Sequence, residues 1–300
     1  MSINSFASLL TKDIKTAPWY ISGNILPKGG TLLFGGHSKT YKSFIALNMV
    51  RSLITGTNLF DCPFIECTKA RVLLVEQEIG ERGLQKRGSF IFYKVDPKAI
   101  EDNFFYLTKE SILLNRPEGV GKLEKAIKEI KPNVLILDPI GKLHTYDEND
   151  ATQIGALFTT FERFKKINPE QEMSIVLTHH FKKPPTGDYA KGYDGNDPHN
   201  FRGSVRWFSD PDTIGTVKLL NTPNDTVWKS FNLRLRFILR QEESPDDMVL
   251  SFNKEPIEAG IEEGDNLIRY EYSIGTNGDR KQKEKKKEKK VKGEQLTFKV

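Results

Sequence analysis

Residues 31–50 have the sequence TLLFGGHSKTYKSFIALNMV, and this stretch decides the fold. Its first part, Thr31–Phe34, is a short apolar run that predicts a buried strand. The run ends at Gly35-Gly36, and Lys42-Ser43 then begins a long apolar helix. A strand, a polar loop, Lys-Ser and a helix in this order are typical of the phosphate-binding P-loop. In such a loop, backbone N–H groups and the helix N-terminus surround a phosphate.

The loop pattern G-x-x-x-x-G-K-S/T predicts which residues would hold a nucleotide. A lysine in this position is a mobile positive charge for the outer phosphates, and the serine hydroxyl is a ligand for Mg²⁺. The alternative is an ordinary strand–turn–helix in which Lys-Ser occurs by chance. The candidate nucleotide-binding residues are Gly36, His37, Ser38, Lys39, Thr40, Tyr41, Lys42 and Ser43.

Composition limits the class of protein. The 300 residues, 37% of them hydrophobic, suggest one large domain or one domain with extensions. No stretch approaches the roughly 18 apolar residues of a membrane helix, and the N-terminus does not have the pattern of a signal peptide. We therefore expect a cytoplasmic protein with no membrane association. Cys62 and Cys67 have no neighbouring histidine and are interpreted as ordinary thiols.

The net charge of +5 comes from one end of the chain. Residues 279–292 contain nine Lys/Arg and three Asp/Glu, a net of +6, so the rest of the chain is near −1. Contact with nucleic acid would therefore need local patches or this tail. The tail itself is predicted to be disordered or a solvated helix.

Strand and helix patterns alternate after the P-loop. Helical spacing of apolar residues separates the predicted strands, and this alternation predicts an α/β fold with a mainly parallel sheet. A polar loop, 181–200, follows, and three further runs then predict antiparallel strands. The predicted strands after the P-loop are Arg71–Val75, Phe104–Leu107, Val134–Leu137, Ser174–Thr178, Thr213–Leu220, Leu233–Leu239 and Met248–Phe252.

Three polar residues follow core strands at their carboxyl ends: Glu78, Asp138 and His180. Because ligands of open α/β sheets bind at that edge, we expect all three to lie near the P-loop. Asp138 is a candidate Mg²⁺ ligand opposite Ser43, and the alternative is an aspartate that caps the following turn.

The other two residues have candidate roles in hydrolysis. Glu78 is the preferred base that orients the attacking water, and Glu76 competes for this role from within the strand. His180 is a candidate sensor of the γ-phosphate or a buried structural histidine. Arg202 and Arg206 are candidates for stabilising phosphate charge, in this subunit or a neighbouring one, or they are surface charges.

These residues resemble the RecA-like ATPases, and most closely the RepA-like branch that is named for a plasmid replicative helicase. The resemblance covers roughly residues 15–255. The matching segments are Pro18–Ile21 with Ile25–Gly30, Val72–Glu78 with Gly80–Arg82 and Arg87, Leu135–Pro139 with Lys142–His144 and Asp147–Ala151, Val176–His180, and Arg202–Ser204.

The resemblance implies a RecA-like P-loop NTPase core that uses ATP and Mg²⁺. It also implies a DNA-associated hydrolase that forms a homo-oligomer, such as a hexameric ring. In this fold the loops after the fourth and fifth strands commonly line the DNA path. The second of these loops combines lysines with aromatic residues, which suits single-stranded DNA, although a merely flexible polar loop is the alternative. The candidate residues are Lys182, Lys183, Tyr189 and Lys191, with Tyr193 beside them.

Tyr41 is the main departure from the family pattern, because it replaces the second glycine of the P-loop. A right-handed conformation at Tyr41 would let the side chain point outward and preserve the loop. Any other conformation would impair ATP binding. Lys39 adds a second positive charge to the loop and would partly compensate for the weaker binding of ATP.

We divide the chain into an ATPase domain at 1–255, with 1–30 as a lead-in, a C-terminal extension at 256–278 and a tail at 279–300. The first hypothesis is a DNA-dependent ATPase of helicase or recombination type. The second is a DNA-binding or scaffold protein with a degenerate P-loop. A small-molecule kinase ranks last, because no arginine-rich lid or acceptor pocket is evident.

Overall fold

The centre of one mixed sheet carries the P-loop and the predicted strand-end residues. The computed structural model describes residues 5–10, 18–187, 192–220, 230–240, 242–256 and 266–274. The predicted tail, 279–300, lies outside these ranges. The strands are β1 Trp19–Ile21, β2 Leu26–Pro27, β3 Thr31–Gly36, β4 Val72–Glu76, β5 Phe104–Thr108, β6 Val134–Asp138, β7 Ser174–His180, β8 Thr213–Leu219, β9 Ser230–Leu239, β10 Met248–Pro256 and β11 Asn266–Ile274.

Helices connect the parallel strands. Helix α2 ends at Gly56, whose left-handed backbone donates its N–H to the Ser52 carbonyl oxygen. Helix α6 begins after Asp150, whose carboxylate accepts from two backbone N–H groups. The helices are α1 Phe6–Leu10, α2 Lys42–Thr55, α3 Gly80–Ile91, α4 Pro97–Asn103, α5 Pro117–Ile130, α6 Ala151–Lys165 and α7 Arg206–Ser209.

The large sheet has the order β11-β10-β9-β8-β3-β7-β6-β4-β5. Strands β8, β3, β7, β6, β4 and β5 are parallel, and β9, β10 and β11 continue the sheet as antiparallel strands beyond β8. The predicted α/β class is therefore confirmed, including its antiparallel C-terminal side. The predicted extension at 256–278 supplies β11, a strand that the sequence analysis did not identify.

The apolar strands are buried on both faces. Successive residues of a strand point to opposite faces, so Leu32 and Phe34 pack in one apolar cluster with α2, and Leu33 packs in the other with α5 and α6. This two-sided burial explains the continuous apolar runs in the sequence. Within the described ranges, no helix has the length and apolar character that crossing a bilayer would require.

The strand register brings the predicted site together. Gly36 at the end of β3 lies beside His180 of β7, and Glu76 of β4 lies beside Asp138 of β6. All four residues are at the carboxyl edge of the parallel strands, where the P-loop begins. The predicted convergence of strand-end residues at this edge is confirmed.

Candidate nucleotide-binding site

The P-loop spans the turn between β3 and α2. Gly36 is required at its start, because an added Cβ would lie 2.7 Å from both the Thr40 hydroxyl and the Val217 carbonyl oxygen. The Thr40 hydroxyl donates to the carbonyl oxygen of His37 at 2.8 Å, which closes the loop on itself. The loop is thus held by its own side chains and by the neighbouring strand β8.

Lys42 lies inside this loop and is 7% exposed. Its Nζ donates to the carbonyl oxygens of Gly36 at 3.0 Å and His37 at 2.7 Å. Burial lowers the pKa of Lys42 to about 8, while Asp138 and then Glu78 oppose that shift. The lysine therefore remains mostly cationic at neutral pH while it donates to two neutral carbonyl oxygens, and it is suited to an anionic ligand.

Tyr41 does not have the right-handed conformation that we expected to preserve the loop. Its φ of 64° and ψ of 24° are left-handed, the region that a glycine at this position would adopt freely. The ring is directed away from the loop and stacks on Phe231 of β9, with centroids 4.1 Å apart and an interplanar angle of 11°. The α2 hydrogen bond from Ile45 N to Tyr41 O, 2.9 Å, is intact. The structure therefore shows the other of the two expected cases, and the impaired ATP binding expected for it stays a prediction.

Asp138 is placed to serve the P-loop. Its carboxylate is 3% exposed, accepts a short hydrogen bond from the Thr178 hydroxyl and is also bonded to the Ser43 side chain. Burial raises the pKa of Asp138, and the nearby Glu76 and Glu78 raise it further, whereas the two hydroxyl groups lower it. A bound cation would stabilise the charged carboxylate that this environment disfavours.

These residues fit a nucleotide-bound Mg²⁺ rather than a metal held by protein alone. The Ser43 hydroxyl and the Asp138 carboxylate are hard oxygen ligands, and Mg²⁺ in such sites takes its other ligands from phosphate and water. Among the described residues, no group of three or more His, Cys, Asp or Glu side chains could hold a metal ion. The donor set therefore agrees with the predicted pairing of Ser43 and Asp138.

The two glutamates at the carboxyl end of β4, Glu76 and Glu78, have different surroundings. Glu76 is 1% exposed, and its carboxylate accepts from the backbone N–H groups of Glu78 at 2.6 Å, Ile79 at 2.6 Å and Gly80 at 2.8 Å. These bonds hold the start of α3. Glu78 is exposed at the sheet edge and interacts electrostatically with Lys42, Asp138 and His180. Glu78 thus has the access to solvent that a residue orienting water needs.

His180 ends β7 at the same edge and is half-buried. Its Nδ1 is buried and has no hydrogen-bond partner among the described residues. Burial, followed by the charge of Lys42, lowers the pKa of His180, so the ring is neutral at neutral pH. A neutral imidazole beside Lys42 can donate to or accept from a ligand group in the site.

The two candidate arginines lie on the segment after loop 181–201. Arg202 pairs with Glu148 at 3.0 Å, yet its side chain is 70% exposed. Arg206 pairs with Asp210 at 2.8 Å, and its guanidinium lies over Gly155 of α6. The structure thus associates Arg206 with α6 and leaves Arg202 more accessible.

Loop 181–201 returns to the P-loop instead of extending freely. Lys182 and Lys183 are exposed near its start, and Tyr189 and Lys191 lie outside the described residues. Tyr193 is half-buried, and its hydroxyl is 2.6 Å from Nε2 of His37. The prediction that Tyr193 belongs to a surface for stacking bases is not supported by this placement, because its ring packs beside the P-loop.

Some contacts of the site were not evident from sequence. The bond from Thr178 to Asp138 depends on the register between β6 and β7, whereas the cap formed by Glu76 is local, because its partners lie two to four residues further along the chain. The one sequence signal for such contacts is a polar residue within an otherwise apolar core strand, and both Glu76 and Thr178 are such residues.

Comparison with known proteins agrees with this geometry. A family model described as AAA domain matches residues 3–186. No curated protein matches significantly. The crystal structure of the flagellar accessory protein FlaH from Methanocaldococcus jannaschii superposes with a TM-score of 0.50 at 12% sequence identity, covering 83% of this chain and 91% of that one. With the strand order, these results confirm the predicted RecA-like P-loop fold class.

Proposed function

Because this chain belongs to the AAA domain family and is a P-loop ATPase of RecA-like fold, we propose that it hydrolyses ATP while bound to single-stranded DNA. In this proposal it acts in DNA replication or recombination as a helicase-like, ring-forming protein of the RepA-like branch. The single observation that carries the catalytic part is the convergence of Lys42, the Ser43–Asp138 pair and Glu78 at one sheet edge.

Each residue has one role at this edge. Loop N–H groups and Lys42 bind the phosphates, and Ser43 and Asp138 would hold Mg²⁺, which would neutralise phosphate charge. Glu78 orients the attacking water, and the half-buried ring of His180 at the same edge senses the γ-phosphate. The water oxygen bonds to the γ-phosphorus while the bond from that phosphorus to the β–γ bridging oxygen breaks. ADP and inorganic phosphate result.

Exposed cations beside this site support the DNA-binding part. Lys182 and Lys183 follow His180 with one residue, Phe181, between them, so lysines that contact DNA phosphates would lie close in the chain to the γ-phosphate sensor. Arg202 is bonded through its backbone N–H to the His180 carbonyl oxygen at 3.1 Å. Its exposed guanidinium is available to a neighbouring subunit in a ring.

The test measures phosphate release by the purified chain with Mg²⁺-ATP, with and without single-stranded DNA, together with the mass in solution. We expect Mg²⁺-dependent hydrolysis that DNA stimulates and a mass that is a multiple of the monomer. Hydrolysis without any response to DNA would retain the ATPase and reject the DNA-dependent role. No hydrolysis under either condition would reject both.

A second candidate is a DNA-binding or scaffold protein with a degenerate P-loop. The observation that favours it is Tyr41, a tyrosine in a left-handed conformation where the motif has glycine. A nucleotide titration separates the candidates, because tight binding of Mg²⁺-ATP disfavours the scaffold. DNA binding without nucleotide binding would favour it.

A further inference from the structure

His37 is a P-loop residue whose side chain contacts the loop after β7. Nε2 of its ring lies 2.6 Å from the Tyr193 hydroxyl oxygen. The same ring packs edge-on against the Phe181 ring, with centroids 5.4 Å apart. Phe181 and Phe201, at the two ends of loop 181–201, also cover Gly35, where an added Cβ would lie 2.1 Å from the Phe201 ring. The loop is therefore packed directly on the start of the P-loop.

The surroundings of the His37 ring favour its neutral form, because burial, followed by the charge of Lys42, lowers its pKa, while the Lys182 main chain raises it. A neutral ring can either donate to the Tyr193 hydroxyl or accept from it at Nε2, so the contact suits either tautomer. A single imidazole thus contacts Phe181 at one end of loop 181–201 and Tyr193 within it.

The backbone of the same residue holds the phosphate site. The His37 carbonyl oxygen accepts from Lys42 Nζ at 2.7 Å and from the Thr40 hydroxyl at 2.8 Å. A movement of His37 would therefore change the position of the lysine that meets the phosphates. Its side chain and its main chain link two parts of the site that are far apart in sequence.

Tyr193 is itself held in place by its neighbours. The adjacent Asp194 pairs with Arg236 of β9 at 3.1 Å, and Arg236 pairs with Asp247 at 2.9 Å. Lys218 of β8 lies 3.8 Å from Asp194. The hydroxyl is therefore presented to His37 from the antiparallel side of the sheet rather than from a freely moving loop.

We propose that Tyr193 is a positioning residue of the nucleotide site, which acts by holding His37 through its hydroxyl. Loss of this hydroxyl therefore disturbs His37, whose carbonyl oxygen accepts from Lys42, and so weakens nucleotide binding. This proposal rests on nucleotide binding by the proposed ATPase site, but not on DNA binding.

The test compares Tyr193→Phe with Tyr106→Phe, an exposed tyrosine on edge strand β5. Removing the Tyr193 hydroxyl keeps the ring, and we expect about 5-fold weaker binding of a slowly hydrolysed ATP analogue with Mg²⁺, the value of one hydrogen bond. The same analogue should slow hydrogen exchange in peptides covering the P-loop, 36–43, of the unsubstituted protein, and less so in Tyr193→Phe. Tyr106→Phe should leave both quantities unchanged.

A double-mutant cycle with His37→Ala separates positioning from general packing. If the hydroxyl acts through His37, Tyr193→Phe has no added effect on analogue binding in the His37→Ala background. Additive losses, or unchanged affinity and exchange in Tyr193→Phe, would overturn the inference while leaving the proposed ATPase intact. Failure of the unsubstituted protein to bind the analogue would overturn both.

Discussion

The ring of Tyr41 in the P-loop stacks on Phe231 of β9 at a centroid distance of 4.1 Å. A left-handed backbone costs a residue with a Cβ about 1–2 kcal/mol, and an aromatic pair contributes about 0.5–1.5 kcal/mol beyond its buried area. The two effects are of similar size. The stack therefore explains how a tyrosine is tolerated where the motif has glycine.

The first prediction compares Tyr41→Gly with Tyr41→Ala. Both lose the stack on Phe231, but only glycine adopts the positive φ without a Cβ penalty. We expect the glycine variant to be about 0.5–1 kcal/mol more stable than the alanine variant in urea unfolding, after the larger entropy of glycine in the unfolded chain is included. Equal stability would mean that the backbone at Tyr41 is unstrained.

Removal of the Lys42 amine should abolish hydrolysis and leave the fold intact. Lys42→Ala loses the positive charge inside the loop, and phosphate release with Mg²⁺-ATP should fall by about 100-fold or more. Lys125→Ala, an exposed position on α5, is the matched control and should retain activity. Retained turnover in Lys42→Ala would show that this loop does not bind the reacting phosphates.

Substitutions of the two glutamates at the end of β4, Glu76 and Glu78, should affect different quantities, stability in one case and turnover in the other. Glu78→Gln should bind nucleotide and lose turnover, with an unchanged urea midpoint. Glu76→Gln should lower the free energy of unfolding by about 1–3 kcal/mol, because an amide cannot accept all three N–H bonds at the start of α3. Normal turnover in Glu78→Gln would exclude it as the residue that orients water.

Stability should fall at acidic pH because of His179. This histidine is 1% exposed, and burial lowers its pKa from 6.5 to about 3. Between these values the unfolded chain binds a proton at His179 and the folded chain does not. The contribution of the neutral His179 ring to the free energy of unfolding is therefore complete above pH 6.5 and is lost as the pH falls towards 3. We expect a loss of roughly 1 kcal/mol between pH 7 and pH 5.5 from this residue.

Urea unfolding of His179→Gln at several pH values measures that contribution. Glutamine keeps an N–H donor for the Arg202 carbonyl oxygen, 3.0 Å from His179 Nε2, but does not titrate. Its pH dependence should be shallower than that of the unsubstituted protein, while His199→Gln, at an exposed position, should match the unsubstituted slope. Identical slopes for all three proteins would refute the assignment.

The exposed lysines of loop 181–201 should contribute charge to DNA binding. Replacing Lys182 and Lys183 together by alanine should weaken binding of single-stranded DNA and reduce the slope of log affinity against log salt by about 1.4, at about 0.7 per phosphate contact. The ATPase rate without DNA should remain. An unchanged salt slope would place the DNA contact elsewhere, and Lys125→Ala again serves as the control.

Much of this arrangement follows from local sequence patterns. Apolar runs with β propensity form strands wherever both faces can be buried, and parallel strands end at one edge, so the placement of Asp138 and His180 beside the P-loop was predictable. The caps at Gly56 and Asp150 were equally local. The strand β11 was missed although its own sequence carries a strand signal. Ile268, Tyr270, Tyr272 and Ile274 alternate with polar residues, and its partner β10 is the preceding strand.

By itself, the sequence determined the P-loop, the order of strands and helices, and which polar residues stand at strand ends. Only the tertiary structure decided the conformation of Tyr41, the bond from Thr178 to Asp138 and the bond between Tyr193 and His37. Each of these depends on groups brought together by packing, and such contacts leave no periodic signal in the chain. The P-loop was therefore recognisable from residues 31–50 alone, whereas its tolerance of a tyrosine depended on Phe231, far along the chain.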